Sequence, residues 1–383
     1  MFFCIFAFAI MTIVVIFAYM NLHVFNPEHD IALAAGIAPF TAPHAGRQLR
    51  ADLGFLPALW ANDGDFVLVD DVEAALESVR HVRQYAADVC FLSAADLHSL
   101  MNKTEIRFDR VMPWGWDKAV CHQLRKLGLC DGLPDDGQLS RIRRMSNRRW
   151  AAEHLLPSLV ALDDRLLGES HSVDSVQALH SFPFGGRRVL KAPWSSSGRG
   201  VRYELNPDHW KRNEAWACNV VSRQGNLMVE PYYNKVEDFG MEFRACPDGS
   251  VAYMGLSLFR TQNGAYSGSV VATEDAKRKM LSRYVPEELL DMLQEHICRC
   301  MEGLMENFYE GPFGVDMMVV AENGKLYVHP CVELNLRHTM GHVSLALPCD
   351  EAMPQRLMRI TYTDKYHFRI SDTNENVINN SLI

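Results

Sequence analysis

The chain has 383 residues, 48% of them apolar and 22% charged, with a formal net charge of −9. This composition is that of a globular protein and excludes a disordered or fibrous chain; the length suits two or three domains, each with its own core. The acidic balance excludes binding of nucleic acid or anionic lipid through a broad basic face.

The chain opens on an apolar run, MFFCIFAFAIMTIVVIFAYM, long enough to span a bilayer. The first Lys or Arg is Arg47, so no positive flank sets an orientation. No basic n-region or small-residue cleavage site marks a signal peptide. A strand starts at Leu22, leaving almost no linker. The expectation is that Met20 is the natural start and that residues 1–20 are a translation-start artefact, with a membrane anchor as the alternative. The ten cysteines are scattered, and Cys298 and Cys300 have no second pair to complete a zinc or disulfide framework, so reduced thiols in a cytoplasmic protein are expected.

Strand-like runs at 23–25, 66–70, 88–92 and 110–114 alternate with helical stretches at 72–87 and 118–129. The alternation predicts a parallel α/β domain over 21–140. Gly and Pro punctuate 131–137, a domain boundary, and helical pattern resumes at 139–156. After Arg187 the runs RRVLKAP, NLMVEPYY, FGMEFRACPDG, SVAYMGLSLF and GVDMMVVAENGKLYVHPCVELN read as strands of antiparallel sheets. Several are joined by hairpin turns such as Pro247-Asp248-Gly249 and Asn323-Gly324. One helix over 286–309 interrupts them. This predicts an α+β domain over 141–364, and the polar stretch 365–383 is expected to fray.

Three segments carry chemistry. In VLKAPWSSSGRGV a strand delivers Lys191, and a turn of Ser195, Ser196, Ser197, Gly198, Arg199 and Gly200 leads back to Val201. Small residues let backbone N–H groups approach an oxyanion, serine hydroxyls add donors, and Lys191 and Arg199 supply charge for phosphate. The competing reading is a flexible hairpin with a surface lysine. In LMVEPYYNKVEDF a strand ends at Glu230-Pro231, and acids return at Glu237 and Asp238. Glu230 is suited to an exocyclic amine and Asp238 to ribose hydroxyls; a solvated acidic loop explains them equally well. In GVDMMVVAENGKLYVHPCVELNLRHTMG the Asn323-Gly324 turn returns the chain, and Glu333, Asn335 and Arg337 alternate on one strand face, with Asp316 on the partner strand. Two carboxylates and an amide oxygen are hard ligands suited to Mg²⁺ on phosphates. Arg337 beside them suits a transferring phosphoryl group or an acyl phosphate.

In this order the three segments resemble the ATP-grasp superfamily, over residues 141–350. The resemblance implies an N-terminal parallel α/β domain of the pre-ATP-grasp kind, followed by a two-lobed ATP-grasp domain. It implies ATP and Mg²⁺ (or Mn²⁺) as cofactors. Lys191 and the Ser195–Val201 loop would hold phosphates, with Arg148 or Arg149 as a further contact. Glu230 would lie at the adenine, as in D-alanine–D-alanine ligase, with Tyr232 beside the nucleotide and Asp238 at the ribose. Asp316, Glu333 and Asn335 would hold metal, and Arg337 would be catalytic, much as in biotin carboxylase. One departure is the segment Tyr327–Val332, which lengthens the Asp316-to-Glu333 spacing.

The implied activity is a ligase that activates a small-molecule carboxylate as an acyl phosphate for attack by an amine or other nucleophile, with a homodimer allowed. An ATP-grasp kinase and a nucleotide-binding protein without turnover stay open beside it. Between the hinge strands and the long helix, 257–273 suggests a substrate loop, with Arg260 as a second catalytic residue holding a carboxylate and Tyr266 covering it; a surface loop with a structural arginine is the alternative. At the end of the first strand, Asn26, Glu28, His29 and Asp30 sit where open α/β sheets place ligand groups, although Asp30 also suits a helix cap. The segments FTAPHAG (40–46) and PWGWD (113–117) are placed alike. His338 and His342 are spaced i,i+4 without HExxH, and GAYSG is not a nucleophile elbow.

Overall fold

The computed structural model describes residues 20–103, 107–180, 182, 187–195, 200–262 and 265–372. The first sheet has four parallel strands in the order β3-β2-β1-β4, formed by β1 (Asn21–Val24), β2 (Phe66–Leu68), β3 (Cys90–Leu92) and β4 (Arg110–Pro113). The order reverses between β1 and β4, so the loops leaving these strands flank the crevice at the switch point. Asp71 and Asp117 cap the helices that follow β2 and β4 by accepting from Ala74 N and Val120 N.

A second sheet of four antiparallel strands runs β5-β8-β6-β7, from β5 (His171–Val173), β6 (Arg188–Lys191), β7 (Val201–Glu204) and β8 (Leu227–Pro231). With the Pro207–Gln224 helix it encloses its own small core of Val173, Leu190, Ala217, Leu227 and Val229. The third sheet has seven strands in the order β13-β12-β9-β10-β11-β14-β15. They are β9 (Lys235–Ala245), β10 (Val251–Gln262), β11 (Ala265–Val271), β12 (Gly311–Glu322), β13 (Lys325–Asn335), β14 (Arg356–Tyr362) and β15 (Tyr366–Asp372).

Period two explains how the third sheet is covered. Phe239, Met241 and Phe243 of β9, with Phe313, Val315 and Met317 of β12, are buried in one cluster with Leu289, Leu293 and Ile297 of the Glu287–Met301 helix. Burying each such side chain contributes about 1.5–3 kcal/mol. At the β12–β13 turn Asn323 and Gly324 both have positive φ, 52° and 75°, which the sharp two-residue hairpin requires.

Three expectations are corrected. The helical pattern at 139–156 divides into Asp136–Met145 and Arg148–His154, because the Asn147 side chain accepts from Arg149 N and restarts the helix. The 257–273 segment is not a surface loop: β10 and β11 pair antiparallel, with Phe259 opposite Ser269 and Arg260 opposite Gly268. Of the stretch expected to fray, Tyr366–Asp372 forms β15, which pairs with β14 along its whole length. There Phe368 is buried and Tyr366 N donates to Asp52. Among the described residues no helix is long and apolar enough to cross a membrane. Residues 1–19 of the apolar run lie outside the described residues.

Candidate functional site

The face of the third sheet opposite the apolar core carries the acidic residues. Cross-strand partners share a face, and the register builds rows across β9, β12 and β13. Asp238 pairs with Met318 and Met318 with His329. Gly240 pairs with Asp316 and Asp316 with Glu333. Glu242 pairs with Gly314 and Gly314 with Asn335. The long Asp316-to-Glu333 spacing is therefore absorbed by a bulge: Pro330, Cys331 and Val332 stand where β12 has Met317 alone. Pro330 has no N–H to give a ladder, which suits it to that position.

Within this face Asn335 Nδ2 donates to Asp316 at 3.2 Å, and Arg337 Nη2 donates to Asn335 Oδ1 at 2.7 Å. Burial, then the neighbouring Glu333 and Glu242 carboxylates, push the Asp316 carboxyl up to about 8. Glu242 is spoken for: Ser257 and Thr339 hydroxyls donate to it at 2.8 Å, and His342 lies 3.1 Å away. His342 also completes a capping box with Thr339, so it anchors the Met340–Ala346 helix. His338 stacks against Trp60 and Trp114.

Lys191 ends β6 and lies diagonal to Glu230 on β8; the two form an ion pair of 2.6 Å with both side chains under 10% exposed. Ser170 donates to the other Glu230 oxygen at 3.0 Å. Ser195 and Gly200 flank the turn. A Cβ on Gly200 would lie 2.2 Å from Ser195, so only glycine lets the turn close. Gly200 O accepts from Ala192 N, and Val201 pairs with Lys191. Ser196, Ser197, Gly198 and Arg199 lie outside the described residues.

Arg148 joins these elements. Its Nη1 donates to Ala192 O at 2.5 Å and to Ser195 Oγ at 2.8 Å, while its Nη2 donates to Glu333 at 2.7 Å. The serine-glycine turn and the acidic hairpin therefore face each other across one cleft. Arg149, the other candidate, pairs instead with Glu153 on an exposed helix surface.

The N-terminal sheet closes the site. Arg337 pairs with Asp30 at 3.0 Å, both side chains nearly buried. Burial alone would raise the Asp30 carboxyl, but the Arg337 charge and hydrogen bond hold it below its usual value. Asp30 is not a cap: the His29–Ala35 helix begins one residue earlier and has no side-chain cap bond. Asn26 Nδ2 donates to Gly115 O at 2.9 Å and to Asp117 at 3.2 Å, and His29 lies 3.1 Å from Asp117, so the loops after β1 and β4 are tied together. Glu28 pairs with Arg50.

Some predicted residues lie elsewhere. Ser257 pairs with Gly240, so Arg260, three residues further on, points to the other face of the sheet, beside Glu237 and Arg359. It does not join Arg337. Tyr266 is half-buried, with its hydroxyl 2.8 Å from Ser269 Oγ. Tyr232 lies under the Arg187 guanidinium, 4.4 Å from its ring centroid, and near Tyr203 of the small sheet, not with the acids. Asp238 accepts from Lys235 and, at 2.9 Å, from Thr261, on the same face as Asp316. Sequence reading missed Glu242, although the alternation Asp238, Gly240, Glu242 along β9 signals a polar face. It also missed His329, whose two ring nitrogens have no hydrogen-bond partner among the described residues. Burial lowers the His329 pKa to about 4, so the ring is neutral near pH 7.

Among the described residues no three His, Cys, Asp or Glu side chains form a ready-made metal cage. Mg²⁺ does not require one, since it commonly takes one or two carboxylates and completes its shell with water and phosphate oxygens. Asp316 and Glu333, register partners with Asn335 beside them, fit that demand.

No protein-family model matches the sequence, and no curated protein matches it. Solved structures do. An N5-carboxyaminoimidazole synthetase from Staphylococcus aureus, complexed with ADP, superposes with a TM-score of 0.51 at 14% identity, covering 89% of this chain and 82% of that one. The biotin carboxylase domain dimer of the Hydrogenobacter thermophilus 2-oxoglutarate carboxylase, bound to MgADP and bicarbonate, gives 0.52 at 16% identity, covering 89% and 74%. Biotin carboxylase from Campylobacter jejuni, in complex with β,γ-ATP, gives 0.52 at 14% identity, covering 89% and 75%. The shared architecture is the ATP-grasp fold.

Proposed function

We propose that this chain, which has the ATP-grasp fold, binds ATP with Mg²⁺ (or Mn²⁺) and activates a carboxylate for attack by an amine or another nucleophile. The observation that carries the reading is Arg148, which spans from Ser195 to Glu333 and so holds the phosphate-type loop over the acidic hairpin. In this reading residues 21–140 and 141–364 are its two domains, and the cleft between the second and third sheets receives the nucleotide.

Each residue then has a role. Lys191 leaves Glu230 to meet phosphate oxygens, which frees Glu230 for an exocyclic amine of the base. Asp238, on the floor of the cleft, accepts from ribose hydroxyls. Asp316, Glu333 and Asn335 would hold the metal, which neutralises phosphate charge during transfer. Arg148 exchanges Glu333 for a phosphate oxygen, which would leave that carboxylate free to serve as a ligand. The γ-phosphoryl group passes to an oxygen of the carboxylate and ADP departs. The nucleophile then attacks the acyl carbon, the C–O bond to phosphate breaks, and the nucleophile's proton is released. Arg337, held by Asp30 and Asn335, stabilises the charge of the acyl phosphate. Catalysis rests on positioning and charge, without a covalent enzyme nucleophile.

The test is Glu333→Gln with product analysis. Turnover should vanish while metal-free nucleotide binding persists. Wild-type turnover in the variant refutes the metal assignment. ADP with free phosphate identifies a ligase; ADP with a phosphorylated product identifies a kinase, and ADP formation at background across a broad panel of acids and amines favours binding alone.

A further inference from the structure

On the cleft floor His329 is a buried polar side chain whose ring makes no bond to the described protein. It lies in the row that runs from Asp238 through Met318, so it shares the face of the acids. The residue is fully buried, and neither ring nitrogen has a hydrogen-bond partner among the described residues. Buried polar groups are nearly always hydrogen-bonded, and a neutral imidazole carries one N–H donor and one acceptor. An apolar side chain of similar size would fill this position without leaving two polar atoms unmet.

The surroundings show what the ring faces. Leu166 pairs with Val328, so the chain at 165–167 runs beside the Lys325–Asn335 strand. Gly168 then crosses the imidazole: a Cβ there would lie 3.0 Å from Nε2, so glycine lets the segment lie on the ring. Two residues later Ser170 donates to Glu230 at 3.0 Å. Tyr233 stands edge to face with the ring, the centroids 5.6 Å apart. The charges of Glu230 and Lys191 both act on the imidazole, so the ion pair of the small sheet lies close to it. Ser170 holds one Glu230 oxygen and Lys191 the other. Lys191 is the part of this cover that the proposed function moves. When its ammonium goes to phosphate, a Glu230 oxygen and His329 are uncovered together.

We propose that His329 recognises the nucleobase. An imidazole N–H donates to the adenine ring nitrogen beside the exocyclic amine, N1 or N7, while the freed Glu230 oxygen accepts from that amine. An acceptor and a donor side by side match the alternation of amine and ring nitrogen along this edge of the base. Asp238, in the same row as His329, is left for the ribose. This inference rests on the reading of the cleft as an ATP site and assigns the residue that specifies the base. His329 touches no reacting atom; it sets specificity and position.

Calorimetry of the full chain with ATP, 1-deaza-ATP and 7-deaza-ATP, together with thermal unfolding, tests it. Wild type should bind ATP at least tenfold more tightly than one of the two analogues, the one lacking the nitrogen that His329 meets. His329→Leu should bind ATP at least tenfold more weakly and no longer distinguish it from that analogue. Without nucleotide the same variant should have a higher Tm, because two unmet buried polar atoms are gone. His329→Asn, which keeps an N–H, should retain part of the preference. A histidine that only supports the fold would give the reverse, a lower Tm and an unchanged preference. Equal binding of the three nucleotides by wild type, wild-type ATP affinity in His329→Leu, or a preference that survives that substitution overturns the assignment and leaves the ATP reading standing. Wild-type protein that binds none of the three sinks the ATP reading, and this inference with it.

Discussion

Replacing Arg148 with Met keeps the aliphatic stem and removes the charge that spans the cleft. Breaking a fully buried ion pair from one side costs about 3–5 kcal/mol, because the other charge stays behind. Glu333 is 22% exposed, so water screens part of that loss and roughly 2 kcal/mol remains. Ala192 O also loses a charged donor, which adds about 1 kcal/mol. The sum is a destabilisation of ~3 kcal/mol in metal-free, nucleotide-free protein, measured by guanidinium unfolding followed through tryptophan fluorescence. Removing both charges in Arg148→Met/Glu333→Gln should cost only about 1 kcal/mol, ~2 kcal/mol less than Arg148→Met alone, so the two substitutions are strongly non-additive. In the proposed reading Arg148 competes with metal for Glu333, so the single variant should also bind Mn²⁺ more tightly than wild type without nucleotide. Additivity of the two substitutions within about 0.5 kcal/mol, with unchanged Mn²⁺ affinity, would refute the argument that the loop and the hairpin meet at this arginine.

Lys191→Ala should weaken ATP binding at least tenfold by calorimetry, and should cost ~3 kcal/mol of stability by stranding the buried Glu230 charge; adding Glu230→Gln should recover the stability but not the affinity. Asp316 titrates at about 8 in the folded protein against an ordinary value of 3.8, so between these pH values the native state keeps a proton that the unfolded chain releases. Its contribution to stability is therefore full below about pH 4 and declines as pH rises through 8. Asp316→Asn should flatten the loss of metal-free stability between pH 6 and pH 8, and excess Mg²⁺ should oppose that loss in wild type but not in the variant. An identical pH slope in both proteins would show that Asp316 is not the acid whose carboxyl is held protonated in the native state.

Much of the cleft floor was legible in local pattern. Alternation along a strand depends only on the two-residue repeat of the backbone, so Glu333, Asn335 and Arg337 could be assigned to one face before any neighbour was known. Asn323-Gly324 announced its hairpin because few residue pairs accept positive φ twice. The single lysine at the end of an apolar strand, followed by serine and glycine, marked a loop edge for the same local reason.

What packs against those faces was decided by tertiary structure. Alternation says which residues of one strand point together, but register says which residues of the next strand join them. Arg260 has the right chemistry, yet the pairing of Ser257 with Gly240 turns it to the opposite face from Asp316. The bulge at Pro330–Val332 restores the Asp316–Glu333 pairing that the long spacing obscured. Arg337 meets Asp30 and Arg148 meets Glu333 across 307 and 185 residues of chain, and no periodicity spans such separations. Tyr366–Asp372 is polar by composition and becomes a strand because β14 offers it an unpaired edge. Local propensity acts within a few residues; these contacts exist only where the three sheets and their helices pack together.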